Sequence, residues 1–330
     1  MKNILVIGIL TCDISILGVE KLPRPGSALP VNRITMKCGG TASNCAMDIA
    51  RLGLPVTLAG RIGSDSFGDV VKKELNQYAP LLVDHTVRDS DPLANTTTSC
   101  LCIGSNGERA ILTSLGATFH FNKEDILPED LEQCDICFVT GALLLNAFEP
   151  SQEASVLRRM QEAGKFTCMD TCYDTEEIWL PKIKEAIRYL DLFMPSYNEA
   201  VKLSGKTDPD EMADFFFELG TRNVLIKLGS YGVYLCEQSG ERTLIPSFKY
   251  RECVDTTGAG DSFCAGFISA FAKGASLKEA AMVGNMVGAC CVSEIGGQAG
   301  LLSLEQTREL MKVCEKNNYT LEEVRKCLTI

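Results

Sequence analysis

Asp255-Thr-Thr-Gly-Ala-Gly-Asp-Ser-Phe263 is the stretch around which the rest of this 330-residue chain falls into place. It reads as a glycine-rich turn, Gly258-Ala259-Gly260, that delivers an acid, Asp261, onto the first turn of a helix. Phe263, Phe267, Ile268 and Phe271 then recur at helical spacing, which predicts an amphipathic helix with its apolar face on a core. Small residues before a helix let the backbone approach a ligand and leave unpaired N–H groups pointing at it. A helix N-terminus of this kind attracts phosphate. A carboxylate placed there suits an anion site only if it acts as a base on whatever approaches the phosphate, and that combination has the shape of a phosphoryl-transfer site. An ordinary turn with a capping Asp accounts for Asp261 but not for the Gly-Ala-Gly run before it.

Downstream, helices are expected over 276–294, 304–316 and 320–328. Upstream, from Cys134, the alternation is βαβ: strand 136–140, helix 151–163, strand 166–170, helix 176–188, strand 190–194, helices 197–204 and 208–219, and strands 223–228 and 232–236. Such alternation means a parallel sheet covered on both sides by helices. The near-continuous apolar run 3–8 is what a strand buried on both faces shows. Although Lys2 and this run mimic a signal peptide, the run is short and no small-residue cleavage site precedes Asp13. Ligands of open α/β sheets bind beyond the carboxyl ends of strands, so Asp13 is either a ligand contact or a turn-capping Asp.

Residues 14–36 read as two short strands around a Pro- and Gly-containing excursion, and 96–103 and 109–115 as two more around the turn 105–108. Together they make a small four-stranded sheet projecting from the main body. Between them Gly39-Gly-Thr-Ala-Ser-Asn-Cys-Ala46 opens a helix, with Thr41 as its N-cap and Gly53 as its stop. Asn44 is either a solvated side chain or an amide that holds a polyhydroxylated ligand, beside a Gly pair whose N–H groups no side chain covers. Strand 55–60 and helix 65–78 follow. Pro195-Ser-Tyr-Asn-Glu199 follows a strand and starts a helix, so Glu199 either holds a metal-bound water at the strand edge or complements the helix dipole. Leu228-Gly-Ser-Tyr-Gly232 is a close approach to a nucleotide or a plain tight turn.

A net charge of −11 argues against nucleic acid as the main partner but leaves room for an anionic small ligand if the site supplies donors. The 16 cysteines are scattered. Cys134 and Cys137 form a C-x-x-C with no second pair or nearby His, so free thiols in a reducing cytoplasm are the simpler account than zinc. No membrane span is expected, because the most apolar region, 263–293, is broken by Lys273, Lys278 and Glu279. With no repeat, low-complexity tract or linker, 1–330 reads as one domain.

These features resemble the ribokinase-like (PfkB) family of carbohydrate kinases over essentially the whole chain. DTTGAGDSF is similar to the family's C-terminal signature, and GGTASNCA with the following Arg-Leu-Gly to its N-terminal one. The resemblance implies a Rossmann-like three-layer α/β/α domain with a mostly parallel sheet, plus a small β-sheet lid at about 14–36 and 96–115 that in many relatives mediates homodimerisation. It implies ATP and a small sugar as ligands, with Mg2+. By matching positions, Asp261 is the general base, and the N–H groups of Gly258, Ala259 and Gly260 form the anion hole. Asp13, Gly39, Gly40 and Asn44 hold sugar hydroxyls, and Glu199 organises the magnesium water shell. Ser196, Lys227, Gly229, Gly232 and Asn285 line the ATP site. Asp255 and Thr257 belong to a monovalent-cation (K+) site.

Several positions depart from the pattern. Thr11 replaces the Asn of ribokinases proper, which speaks against ribose. Ser196 and Lys227 replace a common Asn and Thr, and the 296–300 segment has Gly where a Ser often serves the cation loop, which leaves potassium dependence open. No Tyr-Tyr-Arg run lies in 88–110, which speaks against an acidic sugar. The expected reaction is transfer of the γ-phosphate of ATP to a primary hydroxyl of a small carbohydrate. The rival is a nucleoside kinase of the same fold, which would need an aromatic or apolar base pocket at the lid. A dinucleotide oxidoreductase would need a third glycine where Phe263 stands, and a non-catalytic sugar-binding protein would be expected to lack Asp261.

Overall fold

The structure, a computed structural model, describes residues 1–104, 109–294 and 300–328. The expected turn at 105–108 and most of the 296–300 segment lie outside the described residues. The first strand, Ile4–Gly8, is fully buried and sits inside a nine-stranded sheet. From one edge the order is Arg242–Ile245, Val233–Glu237, Asn223–Lys227, Leu192–Phe193, Phe166–Thr171, Ile136–Ala142, Ile4–Gly8, Val56–Ala59 and Leu82–Asp84. The pairings are parallel except the two made by Val233–Glu237. The strand order runs outward from Ile4–Gly8 on both sides, so the direction of winding reverses there, and the crevice beyond its carboxyl end is where such sheets bind ligands.

Alternate residues of the buried strands feed two cores. Ile4, Val6 and Phe138 pack under helices Thr41–Arg51, Ala259–Ala272 and Leu277–Cys291. Leu5, Ile7 and Val139 pack under helices Ser151–Glu162, Leu180–Ile187 and Pro209–Leu219 on the other face. The result is the expected three-layer, Rossmann-like arrangement.

Four differences from the sequence expectations have local causes. Gly40, not Thr41, occupies the N-cap of the Thr41–Arg51 helix, at φ 95°. A Cβ there would lie 2.6 Å from the Ile9 carbonyl oxygen and 2.7 Å from the Thr11 nitrogen, so only glycine fits. The helix expected from 176 starts at Leu180, because the Asp174 carboxylate takes the N–H groups of Glu176, Ile178 and Trp179 into a turn in which Glu177 and Trp179 have positive φ. The strand expected at 190–194 is only Leu192–Phe193, and a further strand, Arg242–Ile245, closes the sheet edge. Finally, the Ala259–Ala272 helix is buried nearly all round rather than along one face. Gly266 allows this: a Cβ there would be 2.7 Å from Val287 and 3.1 Å from the Gly284 Cα, so the two helix backbones meet closely.

The small sheet has the order Arg33–Gly39, Thr11–Leu17, Thr98–Ile103, Arg109–Ser114. Asp13 lies opposite Lys37 on one side and Ser99 on the other, and Ser99 lies opposite Thr113. Side chains directly opposite share a face, so Asp13, Ser15, Lys37, Ser99, Leu101 and Thr113 are on one face. Ile14, Ile16, Ile34, Met36, Cys100 and Leu112 are on the other, where Ile34, Met36 and Leu112 are exposed.

Candidate active site

Gly258 adopts a left-handed conformation, φ 73°, and turns the chain into the Ala259–Ala272 helix. Ala259 N–H donates to the Thr256 carbonyl at 3.2 Å. The N–H groups of Gly258, Gly260 and Asp261 carry no hydrogen bond among the described residues and are the ones left to face an anion. Asp261 follows within the first turn. Its carboxylate accepts a hydrogen bond from the Asn44 amide at 2.8 Å. The Cys45 thiol donates to the Asp261 carbonyl at 3.3 Å, and the Ser262 hydroxyl to the Asp48 carboxylate at 2.6 Å. The two helices that carry the two glycine-rich turns are thus stitched together at the cleft. Burial pushes the Asp261 carboxyl up to about 7. Asp170 and Asp13 add to the rise, while the Asn44 amide and the Lys227 ammonium oppose it. A base near neutrality is matched to proton abstraction at physiological pH.

Asp13 approaches from the small sheet. Its carboxylate accepts from the Thr11 hydroxyl at 2.7 Å, and burial raises its pKa. Gly39 makes room for it, since a Cβ there would stand 2.0 Å from Asp13 Oδ2. Asp13 acts electrostatically on Asp261 and, packed against Gly39, marks the face of the small sheet nearer the candidate site.

On the far side, Lys227 at the end of its strand forms an ion pair with Asp170, which is 2 % exposed at the end of the Phe166–Thr171 strand. Burial pushes the Asp170 carboxyl up to about 6, with Lys227 opposing and Glu199 reinforcing. Burial alone would lower the Lys227 pKa, but Asp170, Cys264 and Glu199 hold it above the ordinary value. Ser196 pairs with Lys227 across a parallel bridge and caps the Tyr197–Ser204 helix reciprocally with Glu199. Glu199 Oε2 accepts from Ser196 N–H at 2.8 Å and from the Thr171 hydroxyl at 2.9 Å. Oε1 carries no hydrogen bond among the described residues.

Gly229, Gly232 and Asn285 stand at the neighbouring edge. Gly229 opens a single turn at φ 59°. Gly232, φ 102°, and Asn285 converge on one segment: a Cβ on Gly232 would be 2.1 Å from the Ile245 carbonyl oxygen, and the Asn285 amide donates to the carbonyls of Ile245 and Pro246 at 3.0 and 3.1 Å. Their visible role is to shape the backbone at 245–247. Asp255 accepts from Thr257 N–H at 2.9 Å and from its hydroxyl at 2.6 Å, which closes that turn on itself. Residues 295–299 lie outside the described residues.

Among the described residues no cluster of three or more His, Cys, Asp or Glu could cage a metal. Magnesium binds through one or two carboxylates plus substrate phosphates and water, and Glu199, anchored through one oxygen and open at the other, fits that mode. Asp170 and Thr171 were not anticipated from the sequence. The signal was there: Asp170 ends a buried strand just as Asp13 follows one.

A model of the pfkB family of carbohydrate kinases matches residues 1–304. The chain belongs to that family. A ribokinase of Haemophilus influenzae is 25% identical over 316 residues, covering 94% of this chain and 99% of the relative. A 2-dehydro-3-deoxygluconokinase of Bacillus subtilis is 28% identical over 295 residues, covering 85% and 88%. The crystal structure of a Thermotoga maritima ribokinase superposes with a TM-score of 0.81 at 25% identity, covering 94% of this chain and 100% of that one. This pfkB kinase is therefore a phosphotransferase acting on a carbohydrate or nucleoside hydroxyl. Among its described residues no helix is long and apolar enough to cross a membrane.

Proposed function

We propose that the enzyme transfers the γ-phosphoryl group of ATP to a primary hydroxyl of a small carbohydrate, with Asp261 as general base. The observation that carries this reading is the meeting of Asn44 with Asp261, because it puts an amide suited to a sugar hydroxyl beside a carboxylate suited to deprotonating one. The acceptor oxygen loses its proton to Asp261 as it forms a bond to phosphorus, and the bond from phosphorus to the leaving ADP oxygen breaks. Gly258 and Gly260 N–H groups offset the charge on the transferred group. Asp13 orients the acceptor, so much of the acceleration comes from positioning. Glu199 would hold Mg2+ through its water shell, and the ion when bound neutralises phosphate charge.

The whole chain acts as one kinase unit, with the small sheet closing over the acceptor to exclude water. Ser15, Ser99 and Thr113 on the site face offer hydroxyls, and Leu101 beside them is no aromatic ring on which a base could stack, which favours a sugar over a nucleoside. Exposed Ile34, Met36 and Leu112 on the opposite face suit a homodimer through the lid. That none of the 16 cysteines is in a disulfide suits a reducing cytoplasm. The test is ATP consumption against a panel of sugars, sugar acids and nucleosides: turnover on a neutral sugar supports the reading, and turnover on nucleosides alone overturns it.

A further inference from the structure

Lys227 stands in an unusual electrostatic position. Of all heavy atoms outside the neighbouring backbone, its ammonium nitrogen is the nearest to where a Cβ of Gly260 would be, at 3.6 Å. It thus lies against the first turn of the Ala259–Ala272 helix, whose end carries roughly half a positive charge. Two like charges are held together there. Asp170 offsets them, buried at the end of the Phe166–Thr171 strand, where its carboxylate also accepts from the Cys264 thiol at 3.5 Å and from the Thr171 N–H at 2.9 Å. Among the charged groups that act most strongly on Asp261, namely Asp170, Asp13 and Lys227, only Lys227 is positive. The pocket therefore gathers carboxylates around one ammonium and three open N–H groups. An anion placed against Gly258 and Gly260 would relieve the repulsion between helix end and lysine and draw on both. A lysine suits such a task because its charge is compact and its stem flexible.

We propose that Lys227 is a catalytic residue whose ammonium, presented by Asp170 beside Gly260, contacts the terminal phosphoryl group of the nucleotide and stabilises its charge during transfer. Asp170 is a positioning residue. This rests on the kinase reading above. In the step, the acceptor oxygen bonds to phosphorus, the bond to the oxygen retained by ADP breaks, and the hydroxyl proton goes to Asp261. Lys227 keeps its own protons throughout and balances charge only.

The test uses the full chain with an acceptor that the wild type phosphorylates. Lys227→Met alone strands a buried carboxylate and can fail to fold, so Lys227→Met is also made together with Asp170→Asn, and Lys227→Arg is made alone. Loss of a transition-state donor predicts a fall of about 10²–10³-fold in kcat for both Met variants. The acceptor KM should stay within about twofold, since it reports a different site. Calorimetry should show ADP binding unchanged but a non-hydrolysable ATP analogue weakened about tenfold, with Lys227→Arg recovering part of the turnover because it restores the charge. A double variant that folds as the wild type does and turns over within about threefold of it overturns the proposal, as does equal weakening of ADP and the analogue. A wild type that phosphorylates no acceptor instead overturns the kinase reading, and this inference with it.

Discussion

The Asn44 amide donates to the Asp261 carboxylate at 2.8 Å across 217 residues of sequence. This bond joins the two glycine-rich turns into one site and sets how basic Asp261 is, because the amide favours the charged carboxylate against burial and neighbouring acids.

The first prediction concerns pH. Asp261 must be deprotonated to act, and its pKa is pushed up to about 7. The rate should therefore rise with pH and level off above about 7, falling tenfold per unit below it. Asn44→Ala removes the hydrogen bond that opposes the rise, so its kcat/KM profile should move to higher pH. A profile unmoved by Asn44→Ala would contradict the coupling. Asp261→Asn should lose roughly 10²–10⁴-fold in kcat while ATP binding, measured by calorimetry, is nearly intact.

Asp13→Ala should act on the acceptor instead. It removes a charge-assisted partner of a substrate hydroxyl, so the acceptor KM should rise at least about tenfold with the ATP KM unchanged. An unchanged acceptor KM would place Asp13 outside the site.

Gly39→Ala makes the same point through sterics. The added methyl would meet Asp13 Oδ2 at 2.0 Å and the Thr11 hydroxyl at 2.9 Å. The end of a side chain gives way more readily than backbone, so the expected phenotype is a raised acceptor KM with little change in Tm. A large fall in Tm with an unaltered KM would be the contrary result.

Asp48 yields a prediction about stability. It is fully buried between the two site helices, accepts from Ser262, and has no hydrogen-bond partner for Oδ1 among the described residues. Burial pushes its pKa up to about 8, with the Ser262 hydrogen bond and Arg51 opposing. A carboxyl raised in this way binds its proton more tightly folded than unfolded. Its contribution is fully present below the unfolded value and is lost as pH rises toward and through about 8. Asp48→Asn keeps an acceptor for Ser262 and cannot ionise, so denaturant unfolding should show a smaller loss of stability between pH 5 and 9 than in the wild type. Equal slopes would exclude Asp48 as the source.

Much of the candidate site was legible because the residues brought together there lie in short runs of recognisable types. Gly258 to Asp261 and Gly39 to Asn44 announce two tight backbone approaches followed by polar side chains, and the βαβ alternation announces the sheet. The Asp170–Lys227 pair was not legible. Its partners sit on strands separated by Leu192–Phe193, and only the order of the sheet and the lean of the lysine bring them together. The start of the Leu180–Ile187 helix was misplaced because the Asp174 carboxylate competes for the backbone N–H groups that a helix start at 176 would have used. Glycines 266 and 284 hide in an apolar run, where spacing alone cannot say that two helices touch.

The two-residue alternation of the small sheet has a consequence for how this enzyme can diversify. On the proposed reading, odd-numbered positions from 13 to 17 look at the reactants and even-numbered ones at a second copy, so acceptor preference and self-association would be written into the same strands in interleaved letters. Point changes can edit one text and spare the other. A single inserted residue in Thr11–Leu17 would transpose them at a stroke, turning Ile14 and Ile16 inward and Asp13 out, which predicts that variation among closely similar chains enters these strands by substitution and is lengthened only in the connections between them.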